Sequence, residues 1–124
     1  MRLPELLELT EGQLLVDAKE DVFMDRAYAA DLLSDVLALT DEQTTLITGT
    51  ISPQVIRVAE ILSIVAIIFV GGKQPSNTVL DYARRLGIPI ISTQKTMFET
   101  CGLMYAEGVR PCKNTPMPQK KASA

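Results

Sequence analysis

Two glycines and a lysine, Gly71, Gly72 and Lys73, follow an apolar run of the sequence, an order often found in loops that hold phosphate groups. A phosphate-binding Walker loop requires the pattern G-x-x-x-x-G-K-[ST]. Here Ile67 stands in place of the first glycine, and Gln74 follows the lysine. The sequence therefore predicts no kinase loop. It does predict a turn at which the backbone can come close to a ligand, because glycine has no side chain.

Hydroxyl or glycine residues follow each of three predicted strands. The turns are TGTIS at 48–52, GGKQPS at 71–76 and STQKT at 92–96. In an open parallel sheet such turns lie together along the carboxyl edge, where ligands bind. We therefore predict one crevice for a small anionic ligand, lined by Gly49, Thr50, Ser52, Gly71, Gly72, Lys73, Ser92 and Thr93. The alternative is that each Ser or Thr only caps its helix and each glycine only turns the chain.

Residues suited to catalysis or metal binding are few in this chain. It contains no histidine, and it lacks the G-x-S-x-G pattern of many hydrolases. Asp31 and Asp35 are spaced one helical turn apart, as two magnesium ligands can be, but two ligands alone would bind the ion weakly. Asp31 is also a favourable N-cap residue, and we prefer that interpretation. The sequence therefore predicts no enzyme activity, no metal site and no cofactor.

The two cysteines, Cys101 and Cys112, form no C-x-x-C pair and are predicted to be reduced thiols. Cys101 lies at helical spacing from Met97 and Met104, which favours a small buried core residue over a redox centre. We expect Cys112 to be exposed, and the sequence leaves its role open.

Short β-rich runs alternate with amphipathic helices between residues 44 and 108. The first two helices and the strands after them superimpose with a shift of 24 residues, so that Val55 matches Val79 and Ile67 matches Ile91. Connected βαβ units of this length require right-handed crossovers and a parallel sheet. We therefore predict an α/β fold, a layered sandwich around a mostly parallel sheet built from repeated βα units.

Residues at the helix boundaries support these helices. Ser52 and Pro53 are a favourable N-cap and first residue for one helix, and Gly87 is a favourable C-cap for the next. We expect Ser92 or Thr93 near the N-cap of the third.

The two ends of the chain have weaker patterns. Residues 1–43 predict a short helix, a strand and a helical turn from Asp31 to Ala38, which should cover an edge or a face of the sheet and can add antiparallel strands. Residues 109–124 contain three prolines and no burial periodicity, so they predict a mobile tail. We therefore expect a single domain over residues 1–108, followed by this tail.

Charges are distributed unevenly along the chain. Residues 1–43 contain 11 acidic and 3 basic residues, whereas residues 44–124 contain 4 and 9. Such a division can complement itself across a fold or a dimer interface. Without an aromatic platform or a basic helix face, nucleic-acid binding is not expected. A homodimer is expected, because twofold self-association is the commonest soluble assembly.

Neither membrane insertion nor secretion is predicted. The longest uncharged stretch, residues 61–72, is shorter than the ~20 residues of a membrane-spanning helix. The N-terminal segment has acidic residues and lacks the apolar core of a signal peptide. We therefore expect a cytoplasmic protein without membrane contact.

Residues 46–92 resemble the DRTGG domain, a bacterial and archaeal family named after an Asp-Arg pair behind its first strand and a Thr-Gly-Gly behind its second. The order and spacing of the elements match, and the glycine positions of the family are occupied by Gly49, Gly71 and Gly72. The residues that depart from the pattern are Thr50, Ile51 and Val70, which replace the Asp, the Arg and the Thr.

The flanking segments extend the resemblance over residues 13–109, to a stand-alone clostridial-type subgroup. Such domains resemble the N-terminal, non-catalytic domain of HPr kinase/phosphorylase, and related copies occur beside CBS pairs or in phosphate acetyltransferases as regulatory modules. The resemblance therefore implies that fold and a regulatory role. Because stand-alone members are often encoded beside iron-only hydrogenase and NADH-linked redox subunits, it also implies redox-enzyme partner proteins.

Two functions are expected from these observations. The first is a regulatory domain that binds a nucleotide or phosphometabolite at the carboxyl edge and acts on a partner protein. The second is a ligand-free interaction or accessory subunit, in which the acidic first third or the basic tail contacts another chain.

Overall fold

A computed structural model describes residues 1–112 of the 124-residue chain. It contains five helices and six strands. In chain order these are α1 (Leu3–Thr10), β1 (Gln13–Val16), β2 (Arg26–Ala29), α2 (Leu33–Leu39), β3 (Thr45–Thr48), α3 (Pro53–Leu62), β4 (Ala66–Phe69), α4 (Asn77–Leu86), β5 (Ile90–Ser92), α5 (Met97–Ala106) and β6 (Arg110–Pro111).

The strands form one sheet in the order β1-β5-β4-β3-β2-β6. All neighbouring strands are parallel except β1, which runs antiparallel to β5. Ile47, Ile68 and Ile91 lie side by side across three adjacent strands and share one face of the sheet. The predicted α/β fold with a mostly parallel sheet is therefore confirmed.

Helices cover both faces of this sheet, and each face has its own core. On one face, Val36 of α2, Val55 of α3 and Val79 of α4 pack on the sheet. On the other face, Leu6 of α1 and Met104 of α5 do so. The central strands have apolar side chains on both faces because both faces are covered, which explains why their sequences show no polar alternation.

The helix boundaries follow local chemistry. Helix α3 begins at Pro53 after Ser52, and α4 ends before Gly87, which adopts a left-handed conformation with φ +73°, as predicted. Helix α5 begins later than expected. Its N-cap is Thr96, whose hydroxyl accepts a hydrogen bond from the Glu99 amide, so the prediction of Ser92 or Thr93 near this cap was wrong.

The first third of the chain differs from its predicted pattern. A parallel strand, β2, lies between β3 and β6, although its sequence RAYA lacks the β-branched residues that mark strands. Asp31 does not cap α2, because this helix begins at Leu33 with Leu32 as its N-cap. The Asp31 side chain instead bonds to another part of the chain.

The start of the predicted tail belongs to the fold. Val109 and Cys112 are buried, and Arg110 pairs with Arg26 in the sheet. The prediction of an exposed Cys112 was wrong, because its thiol lies inside the protein and donates a hydrogen bond to the Leu39 carbonyl at 3.1 Å. The remainder of the predicted tail, residues 113–124, lies outside the described residues. None of the helices within residues 1–112 is long and apolar enough to cross a membrane.

Candidate ligand site at the carboxyl edge

The three predicted turns start from neighbouring strands. Thr48 at the end of β3 pairs with Phe69 of β4, and Phe69 pairs with Ser92 of β5. The turns after these residues therefore lie next to one another at one edge of the sheet. They contain the residues predicted from the sequence, namely Gly49, Thr50 and Ser52 after β3, Gly71, Gly72 and Lys73 after β4, and Ser92 and Thr93 at the end of β5.

The turn after β3 is bound by Asp31. One carboxylate oxygen of Asp31 accepts hydrogen bonds from the Gly49 amide at 2.7 Å and from the Thr48 hydroxyl at 3.2 Å. The Thr50 hydroxyl donates to the Asp31 carbonyl at 3.0 Å. A carboxylate of the chain itself therefore accepts the hydrogen bond of the Gly49 amide.

The turn after β4 is bound to the turn after β5. The Gly71 amide donates to the Lys95 carbonyl at 2.8 Å, and the Gly72 amide donates to the Thr93 carbonyl at 2.9 Å. Both glycines have φ +71°, in the left-handed region that favours glycine. Both glycines therefore connect the turn after β4 to the turn after β5. Their amide N–H groups already donate hydrogen bonds to the protein and are not available to a ligand.

Ser92 and Thr93 are buried and also serve this framework. The Ser92 hydroxyl donates to the Lys73 carbonyl at 3.1 Å, and the Thr93 hydroxyl donates to the Thr10 carbonyl at 2.7 Å. These bonds fix the turn after β4 and attach the end of α1. The two side chains position the edge of the sheet and do not present free hydroxyls on it.

Groups that remain available for an anion lie at the outer side of the turns. Lys73 is exposed and forms no ion pair with any part of residues 1–112, whereas Lys95 pairs with Glu11 at 3.3 Å. The Ser52 side chain makes no capping hydrogen bond at the start of α3. The amino ends of α3 and α4 follow these turns, and helix amino ends favour negative charge. These groups are therefore suited to an anion on the solvent-facing side of the turns at the carboxyl edge of the sheet.

Asp31 is the residue of the candidate site that the sequence analysis placed incorrectly, as the N-cap of α2. Its hydrogen bonds join residues far apart in the sequence, and no local spacing indicates such a bond. Its carboxylate, like that of Asp35, has no cluster of ligands around it, since no three His, Cys, Asp or Glu side chains come together within the described residues.

Cys101 is half-buried beside the second core, and burial raises the pKa of its thiol above the usual 9.0. The thiol is therefore protonated at neutral pH and is a weak nucleophile. This supports its interpretation as a packing residue.

Comparisons with known proteins agree with this architecture. A crystal structure of the CBS and DRTGG domains of the regulatory region of Clostridium perfringens pyrophosphatase, complexed with the activator diadenosine tetraphosphate, superimposes with a TM-score of 0.67 at 17% sequence identity. The alignment covers 90% of this chain and 51% of that one, so the present chain spans about half of the compared structure. No curated protein matches the sequence. The family model of the DRTGG domain matches residues 5–106, and the chain therefore belongs to the DRTGG domain family.

Proposed function

We propose that this chain is a non-catalytic regulatory domain that binds a small anionic ligand, a nucleotide or a phosphometabolite, at the carboxyl edge of its sheet. The observation that carries the proposal is the meeting of three βα turns at this edge, where the exposed Lys73, which forms no ion pair within residues 1–112, lies four residues before the start of α4 at Asn77. A ligand held there would act on a partner protein by changing the turns that join the strands.

The Asp31 carboxylate would compete with an anionic ligand for the Gly49 amide. It already satisfies the Gly49 amide, so a phosphate group would have to displace it or bind beside it. Displacement would free Asp31 and the segment before α2, which is a local change that a partner protein can detect. This explains how binding at the edge would be transmitted to the first third of the chain.

A nucleotide is the first ligand class to test, because the compared regulatory region of pyrophosphatase contains a DRTGG domain and was crystallised with a nucleotide activator. Partner proteins in hydrogenase or redox metabolism, and a cytoplasmic location, are further parts of the proposal. They depend on the resemblance to stand-alone members of the family.

A second candidate function is a ligand-free interaction subunit. It is favoured by the internal hydrogen bonds of Gly49, Gly71 and Gly72, whose amides are all satisfied by the protein itself. On this alternative, the edge is a rigid framework, and the surface that contacts a partner lies elsewhere.

Thermal unfolding of the full chain with AMP, ATP, diadenosine tetraphosphate and inorganic phosphate tests the proposal. A ligand present at 100 times its dissociation constant adds about 2.7 kcal/mol to the free energy of unfolding, which raises the Tm of a small domain by several degrees. No shift with any of these probes would favour the second candidate.

Three variants locate the site. Lys73→Gln should weaken binding by about tenfold or more, because a hydrogen bond to a charged group is lost. Lys19→Gln is the matched control, since its side chain lies against Gly87 at the opposite end of α4. Asp31→Asn should strengthen binding, because it removes a negative charge beside the Gly49 amide. Equal binding by all three variants would place the ligand somewhere else.

A further inference from the structure

Helix α5 exposes an apolar stripe. Phe98 is 87% exposed and Tyr105 is 59% exposed. These residues are seven apart, so they lie two turns from each other on the same side of the helix, with Cys101 and Gly102 between them. A helix whose apolar residues face solvent as well as the core is expected to have a partner on its outer side.

An apolar cavity opens beside the C-terminal half of this stripe. Its volume is about 190 Å³, and Cys101 and Tyr105 of α5 line it together with Ala27 and Ala29 of β2 and the side chain of Ile47. Arg110 also lines the cavity, and its guanidinium lies 4.8 Å from the centre of the Tyr105 ring, but most of the wall surface is apolar. A cavity of this kind, on the order of 150 Å³, accepts a benzene ring. The cavity therefore fits a single aromatic side chain.

Gly102, in the middle of the stripe, has no side chain that would cover the helix backbone. Apart from its chain neighbours and the backbone of its own helix, no atom of residues 1–112 would lie within 4 Å of a Cβ atom at this position. The backbone of a second helix can therefore approach α5 closely at this point, since the distance between packed helices depends on the side chains at the contact.

We propose that α5 is the interface of a twofold symmetric homodimer, in which the Phe98 ring of each copy enters the apolar cavity of the other. Two antiparallel α5 helices that cross between Cys101 and Gly102 place Phe98 of one copy opposite Tyr105 of the other. Because the dimer is twofold symmetric, the Phe98 ring of each copy then lies at the cavity of the other copy, and the interface contains this contact two times. This proposal does not depend on ligand binding at the carboxyl edge.

A second copy is the occupant that the surface fits best. A twofold interface needs a patch that is complementary to itself. This surface has an exposed aromatic ring near the start of α5, and the C-terminal half of α5 forms, with β2 and β6, an apolar cavity large enough for such a ring. A different protein would need an aromatic side chain of its own to fill the cavity, and it would also need a separate pocket to bury Phe98. Aromatic anchors that fill pockets also contribute much of the binding energy of an interface.

Sedimentation velocity of the full chain over a dilution series tests the interface. The natural sequence should sediment as a dimer. Phe98→Ala and Gly102→Gln should each raise the dissociation constant about tenfold or more, because one removes the ring and the other blocks the close approach. Both positions are exposed in the monomer, so the variants should fold, which circular dichroism checks. Ile61→Ala is the control, since this exposed residue lies on α3 at the other face of the sheet and should leave the dimer intact.

Crosslinking tests the orientation of the helices. In a Cys101→Ala background, a mixture of the Phe98→Cys and Tyr105→Cys proteins should form the mixed disulfide more readily than either protein forms disulfides with itself. A monomer, a dimer insensitive to both α5 variants, or a preference for Phe98→Cys pairs would overturn the proposal. Binding of residues 113–124 or of another protein to the cavity would leave the pure chain monomeric, and that result would count against it too.

Discussion

Gly71 and Gly102 form a matched pair at the scale of single residues. Within the part of the chain that the structure describes, an added Cβ at either position would have no atom within 4 Å other than those of its own local backbone and chain neighbours, so an alanine would meet no steric obstacle there. Their backbones differ, because Gly71 has φ +71° whereas Gly102 lies inside helix α5. An alanine at Gly71 therefore tests the need for a left-handed backbone, whereas an alanine at Gly102 tests the effect of glycine in an ordinary helical conformation.

Alanine at these two positions should change stability in opposite directions. Gly71→Ala should lower the free energy of unfolding by about 1 kcal/mol, because an L-residue is strained at this φ. Gly102→Ala should raise it by about 0.5–1 kcal/mol, since alanine favours the helix. Urea denaturation of both variants in a Phe98→Ala background, at a low protein concentration that disfavours the proposed dimer, measures the two effects. Changes of the same sign would contradict the structural interpretation.

Asp31 and Asp35 provide a second comparison between single residues. Asp31→Ala should lower the free energy of unfolding by about 1–2 kcal/mol, because it leaves the hydroxyl of the buried Thr48 without its acceptor. Asp35→Ala, in the first turn of α2, should cost about half as much or less. Amide hydrogen exchange at Gly49 should become faster only in the Asp31 variant. Equal effects of both changes would show that the Asp31 hydrogen bonds contribute little.

At the scale of elements, the amino end of α5 has the clearest local signal. The Thr96 hydroxyl accepts from the Glu99 amide, and the Glu99 carboxylate accepts from the Thr96 amide, each at 3.1 Å. The backbone hydrogen bond from Thr96 is the largest cause of a pKa of Glu99 below its ordinary 4.5. Folding therefore favours the ionised form of this side chain.

This capping interaction should depend on pH. A carboxyl whose pKa is lowered by folding stabilises the protein above its unfolded pKa near 4.5, and the contribution is lost as the pH falls through the folded pKa. Glu99→Gln removes the titration and keeps an acceptor oxygen. The advantage of the natural protein over this variant, measured by urea denaturation at pH 7 and about pH 3, should therefore shrink in acid. An unchanged difference would mean that Glu99 does not titrate through the cap.

Sequence periodicity predicted the elements that repeat and missed those that depend on distant partners. Helices α3 and α4 could be identified because apolar spacing, Pro53 and Gly87 agree locally. Strand β2 has no such signal and exists because β3 lies beside it. For the site, the sequence placed the three turns together correctly, but it could not show that Asp31 and the Lys95 carbonyl already occupy the glycine amides.

At the scale of the whole molecule, the short strand β6 fastens the end of the described chain to the sheet. The Arg110 amide donates to the Asp25 carbonyl at 2.9 Å, and Val109 and Cys112 are buried on either side of the strand. The folded unit therefore includes residues beyond the predicted boundary at 108.

Two truncations test this boundary. A chain of residues 1–112 keeps every residue that the structure describes and is the reference for the shorter one. A chain of residues 1–108 should lose at least about 2 kcal/mol, because the burial of Val109 alone contributes about that much. Urea denaturation compares the three proteins. Equal stability of the two truncated chains would mean that β6 contributes nothing to the fold.

The pairing of β1 with β5 has a consequence for synthesis on the ribosome. Leu14, near the beginning of the chain, lies beside Ile91, which is made much later. The units from β3 to β5 join neighbours in sequence and can associate as soon as they emerge, because short loops cost little entropy to close. Strand β1 must wait for its partner. We therefore expect the first strand of this domain to be among the last to pair, and the acidic residues around it should help to keep the unpaired segment in solution.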